Sequence, residues 1–160
     1  MATLAELRLV DRLFVHRYPW RTIDPVPWTP LAKPLASCRV SLVSSAGFVL
    51  PDQVPFDARI RGGDSSFREI PSTTDVRDLR DAHRSHAFDH SGLLRDPNVA
   101  FPLDRLRELA ARGRIGSVSR RHLSFMGSIT ATGTLVGETA PRAADLLAQD
   151  EVDVALLVPV

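Results

Sequence analysis

Cysteine, lysine and long apolar runs are what this 160-residue chain has least of. A single cysteine, Cys38, excludes an internal disulfide framework and any Cys-x-x-Cys pair within the chain. No stretch reaches the roughly 18 apolar residues that a bilayer span requires. The N-terminus carries Glu6, Arg8, Asp11 and Arg12 among its apolar residues and does not read as a signal peptide, so the expected compartment is the cytoplasm. Lys33 is the only lysine, and 20 basic against 19 acidic residues leave a formal net charge of +1. That balance lacks the basic footprint of a nucleic-acid binder, and neither nucleic acid nor membrane is an expected partner. Several motifs are missing as well. No Gly-x-Gly-x-x-Gly or Walker-type loop occurs, which removes dinucleotide and P-loop readings. No Gly-x-Ser-x-Gly occurs either, and SSAGF around Ser45 does not supply a nucleophile elbow.

What is present fits one folded domain over 1–160. The composition is 44% hydrophobic and 24% charged, ordinary for a globular chain. Leu4, Leu7, Val10, Leu13 and Phe14 recur at helical spacing and predict an amphipathic helix over 4–15. Residues 19–34 hold five of the twelve prolines and both tryptophans, Trp20 and Trp28. They read as an extended arm, pinned to the body by its buried indoles. Cys38 to Ser44 alternates β-branched and polar residues as a first strand does, and Ser44 to Gly47 are small enough for a tight turn. Phe101 to Gly113 predicts a helix with Leu103, Leu106, Leu109 and Ala110 on its apolar face and Gly113 as its cap. A second helix is expected over Pro141 to Gln149, with Ala144, Leu147 and Ala148 facing inward. The run VDVALLVPV, Val152 to Val160, reads as a strand covered on both faces. Strand, helix, helix and buried strand give the expected class: α/β, a mostly parallel sheet with flanking helices. The middle, Pro51 to Asn98, shows no periodic pattern. A parallel strand normally continues into a crossover that covers it, so an end at Val160 predicts an incomplete domain.

Two segments carry candidate chemistry. His83, His86, Asp89 and His90 are the densest titratable group, and His86 and His90 would share a helix face as metal ligands do. Ser91 and Gly92 argue against that helix, which favours a polar loop at a cleft. In GGDSSFREIP, Asp64, Ser65 and Ser66 after two glycines suit an anion-binding turn with Arg68 adding a forked contact, although they are equally good turn formers. Cys38 at a strand start reads as a buried structural thiol. His16 and His122 are isolated and read as structural side chains.

Six stretches, in order, make a more specific pattern: RVSLVSSAGFVLPDQVPFD (39–57), GDSSFREIP (63–71), HAFDHSG (86–92), DPNVAFPLDRLRELA (96–110), IGSVSRRHLSFMGSI (115–129) and DEVDVALLVPV (150–160). Together they resemble the glycine/sarcosine/betaine reductase component B and D-proline reductase family of selenoproteins. The resemblance implies an oxidoreductase in which a strand like VDVALLVPV leads into selenocysteine (or cysteine)-x-x-cysteine. There the selenol attacks the α-carbon of an activated amino acid or amine and the C–N bond breaks. The oxidised selenium is then returned to rest by a dithiol, with a disulfide as the other product. It also implies a dithiol reductant such as a thioredoxin-like protein, and in the amino-acid reductases a partner subunit whose pyruvoyl group holds the substrate amine. A low-pKa chalcogen is largely ionised at neutral pH and exchanges with a neighbouring thiol, as this chemistry requires.

The chain contains no such motif, and the catalytic residue is expected directly after Val160, where UGA would encode selenocysteine. On this expectation no residue in hand is catalytic, and the chain by itself is inactive. Asp64, Ser65, Arg68, Glu69, His86, Asp89, His90 and His122 are the substrate-cleft candidates within the resembling segments. A non-catalytic binding or assembly module is the alternative, with a metal-dependent hydrolase using His86, Asp89 and His90 behind it. An amino acid, an N-methylated amine or a different thiol-reactive compound all fit as substrate.

Overall fold

The alternating run Arg39–Ser44 becomes β1, the centre of a five-stranded sheet in a computed structural model that describes residues 8–18, 22–85 and 90–160. The chain divides into two units, Met1–Pro30 and Leu31–Val160. The first contains α1 (Leu9–Arg17), none of whose residues is buried. It starts later than the expected 4–15, of which residues 4–7 lie outside the described ones. It ends at Tyr18, whose extended ψ of 129° is what a residue before proline prefers. The arm beyond it has no regular structure among its described residues, and Trp28 is 84% exposed. Trp20, the other indole of this arm, lies outside the described residues.

In the second unit, β1 pairs in parallel with β7 (Val154–Val158) along one edge. Along the other it pairs first with β5 (Ser117–Val118) and then with β6 (Arg121–Phe125), also parallel. β3 (Phe67–Pro71) closes the sheet antiparallel to β6. A two-stranded ribbon of β2 (Phe48–Val49) and β4 (Arg80–Asp81) stands beside it. The expected α/β class with a mostly parallel sheet is therefore observed. The unpatterned middle contains a five-residue strand after all. FREIP alternates Phe67 and Ile70 to opposite covered faces, so it shows no one-sided hydrophobic period.

Helices cover both faces. α3 (Leu103–Ala111) buries Leu103 and Leu106 in a core with Val40, Leu42, Ile70 and Phe101. Gly113 ends it at φ +64°, with the Arg114 amide donating to the Leu109 carbonyl at 2.8 Å, a left-handed glycine cap. A short α2 (His90–Arg95) precedes it. On the opposite face α4 (Ala140–Gln149) packs Ala143 and Leu147 against Leu123. The buried stripe is thus Ala143 and Leu147 rather than Ala144, Leu147 and Ala148. Residues 143 and 147 are four apart and stack on one face, which turns 144 and 148 outward. A π turn over Leu135–Thr139 leads into this helix.

β7 also differs from expectation. It pairs only with β1 among the described residues, and Leu156 and Leu157 are 42% and 68% exposed. An apolar run reads alike whether its strand is central or lies at an edge, and here it is an edge.

Candidate functional site at the carboxyl edge of the sheet

Because β1, β6 and β7 are parallel, Ser44, Phe125 and Val158 end them on one side of the sheet, where open α/β sheets hold their ligands. A cleft of about 570 Å³ opens there. Phe125, Ile129, Leu135, Val136 and Leu157 line it with apolar surface, and Ser44, Ser45, Gly127 and Ser128 supply its polar groups. No charged side chain among the described residues lines it.

The backbone at this edge is tightly tied. The Ser45 amide donates to the Val158 carbonyl at 3.1 Å, and the Gly47 amide to the Phe125 carbonyl at 2.8 Å. The Val160 amide donates to Ser45 Oγ at 2.9 Å. Ser44 Oγ donates to the Ala100 carbonyl at 2.7 Å and accepts from the Ala46 amide at 3.1 Å, which fixes the floor. Gly127 sits at φ +64°, and a Cβ on it would stand 2.6 Å from the Ser45 carbonyl oxygen. Only glycine lets β6's exit pass so close to the end of β1.

Behind this wall lies the histidine cluster. A Cβ on Gly47 would stand 2.9 Å from His83 Cα, and one on Gly127 3.1 Å from His83 Nε2, so His83 is wedged between the two glycine turns. Its amide donates to Asp81 Oδ1 at 2.9 Å, and its Nδ1 accepts from the Ser85 amide at 3.0 Å. Burial lowers the His83 pKa, with the Asp81 charge opposing. The neutral ring therefore carries its proton on Nε2. His90 Nδ1 meets Asp81 Oδ2, and its Nε2 lies 2.6 Å from the Ser85 carbonyl. His86 and Asp89 lie outside the described residues. Among the described residues no group of three metal-ligating side chains forms.

The other expected cleft residues are spread over the body. Burial works to raise the Asp64 pKa, but bonds from the Ser66 hydroxyl and the Asp57 and Ser66 amides, with the Arg68 charge, hold it low. This carboxylate closes its own loop. That loop still touches the cleft wall, because the Thr130 and Ala131 amides donate to the Gly62 carbonyl at 2.8 and 3.0 Å. Ser65 is half-buried beside it. Arg68 spends its guanidinium on the Val54 and Pro55 carbonyls and lies 4.3 Å over the Phe56 ring. Glu69 pairs with Arg121 at 2.9 Å on the sheet. His122 is fully buried where β1 passes from β5 to β6. Its Nδ1 accepts the Leu42 amide at 3.0 Å, replacing a ladder bond, and Phe101 packs edge-on against its ring. Burial drives its pKa down to about 4.

Sequence reasoning put the site mostly on charged and titratable residues. This cleft is lined by apolar side chains and small polar ones, and Gly127, Ser128 and Ile129 carry no chemical signature of their own. The signal that reaches them is the topological rule, since SSAG and MGSI both come after parallel strands.

Comparison with known proteins identifies the family of the chain. The family model described as glycine/sarcosine/betaine reductase selenoprotein B matches residues 4–159. The D-proline reductase subunit gamma of Acetoanaerobium sticklandii is 33% identical over 154 residues, covering 96% of this chain and 61% of that protein. The sarcosine reductase complex component B subunit beta of Peptoclostridium acidaminophilum is 31% identical over 136 residues, 81% of this chain and 30% of its own length. The glycine reductase complex component B subunit gamma of Carboxydothermus hydrogenoformans is 28% identical over 147 residues, 90% and 33% respectively. The chain thus spans between about a third and three fifths of these relatives. No solved structure matches it.

Proposed function

The chain belongs to the glycine/sarcosine/betaine reductase selenoprotein B family, and from that premise we propose that it is the scaffold and cleft of a reductase that cleaves a C–N bond in a small amine or amino acid. The observation that carries the reading is the neutral cleft at the carboxyl ends of β1, β6 and β7, in a chain whose 4–159 match that family. The redox centre is the selenocysteine, or cysteine, of an x-x-cysteine motif placed directly after Val160. It would supply a chalcogenolate that displaces the amine with the C–N electron pair. The adjacent thiol then takes up the selenium, releasing the carbon as C–H, and an external dithiol regenerates both groups and leaves as a disulfide.

The chain's own residues contribute placement and environment. Ser45 ties the β7 exit to the end of β1, which supports the reading that a redox motif following this strand would meet the cleft. Phe125, Ile129 and Leu157 give the edge an apolar lining for the substrate's carbon skeleton. Ser44 and the Gly127 turn hold the floor and one wall. With no charged side chain among its described lining residues, the cleft suits a substrate whose carboxylate or ammonium is held by another subunit. A pyruvoyl-bearing partner would meet that need by taking the amine as a Schiff base. The relatives' names, "subunit gamma" and "complex component B subunit beta", support an assembly of several chains. A thioredoxin-like dithiol fits the reductant's role. Among the described residues no helix is long and apolar enough to cross a membrane.

The test is turnover by the full-length protein with its partner subunits, over a panel of D- and L-amino acids and N-methylated amines. Dithiol-dependent amine release, or ring opening of a cyclic amino acid, is expected for one of them. Dithiol-independent product, or none across the panel, overturns the reading.

A further inference from the structure

Gly127 and Ser128 follow one another in the left-handed region, at φ +64° and +46°, where the chain leaves β6. Glycine adopts that region freely, whereas the Cβ of a serine is strained there. Among the described residues only Ser128 and Glu151 hold such a φ without being glycine. Glu151 directly follows the C-cap of α4, a common place for a left-handed residue. Ser128 lines the cleft. Its backbone is held from behind. Arg84 Nη2 donates to the Ser128 carbonyl at 3.3 Å, and Arg84 Nη1 to the Ile60 carbonyl at 2.9 Å. A Cβ on Gly63 would stand 3.0 Å from the same Ser128 oxygen and 2.9 Å from Ile129 Cα. The stretch is thus clamped on its outer side, and the serine is presented to the cleft in a fixed place. Strain kept in this way gathers at ligand sites. Of the three serines in the cleft, the Ser44 and Ser45 hydroxyls hold backbone groups. The Ser128 hydroxyl has no partner among the described residues.

We propose that Ser128 determines which small molecule this cleft takes: its hydroxyl hydrogen-bonds an uncharged oxygen of the ligand, whose hydrocarbon part rests on Phe125, Ile129 and Leu157. The inference deepens the reading of the cleft as a substrate site and rests on that reading for the natural occupant. A volume of about 570 Å³ is that of a small-molecule site, mostly apolar with a few polar groups that fix orientation. An ionised ligand group would give up water here and meet no opposite charge among the described lining residues, so a neutral one is favoured. Arg84 stands behind the wall on two carbonyls and does not line the cleft. Because the clamp sets the hydroxyl in place before any ligand arrives, little ordering is left to oppose binding.

The experiment uses the full-length protein as wild type, Ser128→Ala and Ser128→Gly. The probes are isobutyramide, which is neutral, and isobutyrate, its ionised counterpart of the same shape. Dissociation constants are read by NMR titration at neutral pH, and melting temperatures on the same samples. The wild type is expected to bind isobutyramide at least about tenfold more tightly than isobutyrate. Ser128→Ala should weaken isobutyramide binding about fivefold. Ser128→Gly should weaken it as much while melting no lower than the wild type, because glycine suits φ +46°. Unchanged isobutyramide binding in both variants is what a merely structural serine gives, and it overturns the inference. Isobutyrate bound as tightly as isobutyramide overturns it too, as does a wild type that binds neither. These outcomes leave the reductase reading standing. That reading fails separately, if the wild type with its partner subunits turns over nothing in the amine panel.

Discussion

His122 is a neutral side chain built into a β-ladder. Its Nδ1 takes the Leu42 amide at 3.0 Å, and burial brings its pKa to about 4. The unfolded chain binds this proton near the ordinary 6.5, while the folded chain refuses it down to about 4. Stability is therefore complete above pH 6.5 for this group, and it falls as the pH drops from 6.5 towards 4 by roughly 3 kcal/mol. His83, also lowered, adds to the same slope. Replacing His122 with Gln keeps an acceptor for Leu42 and should cost about 1–3 kcal/mol at pH 7. It should also flatten the acid slope, as urea denaturation at pH 7 and 4.5 would read. An unchanged slope would contradict the burial account. Asp150 is the opposite case: Arg121 hydrogen bonds, against burial and with help from Arg120, hold its pKa near 2. Its contribution is present above the ordinary 3.8 and is lost as pH falls through about 2. Asp150→Asn should lower stability at neutral pH by about 2 kcal/mol, seen as a lower urea midpoint at unchanged slope.

At the scale of elements, the carboxyl edge depends on how closely β1 and β6 approach. Alanine at Gly127 would need a left-handed conformation and a contact of 2.6 Å with the Ser45 carbonyl, so the two exits must part. We expect Gly127→Ala to destabilise the protein by about 2 kcal/mol or more, and Gly133→Ala, with open space around its Cβ, to leave the melting temperature nearly unchanged. Equal effects would contradict the close-approach argument. The same elements show what could be read from sequence. β1 and α3 were legible because each has one clear period and a local stop signal, such as Gly113. β3 and β6 were not, because a strand covered on both faces loses its alternation, and Arg121 and His122 look like surface residues while lying in the sheet. The cleft escaped for a related reason. Its polar groups are serine hydroxyls, and only the parallel topology brings Ser45, Gly127 and Leu157 together.

For the whole molecule, a mostly parallel sheet flanked by α3 and α4 ends on one edge at a cleft with no charged lining among the described residues, and β7 has exposed leucines. The chain covers 61% of the D-proline reductase subunit gamma and about a third of the other two relatives. The central proposal is that a redox residue follows directly after Val160, where β7 would bring it to that edge. Reading the gene through the codon after Val160, in the same frame, tests it most directly. The account predicts TGA, or a cysteine codon, then two further codons, a cysteine codon and a continuing helix-forming frame. A TAA or TAG there, or a frame closed by stops, would contradict it.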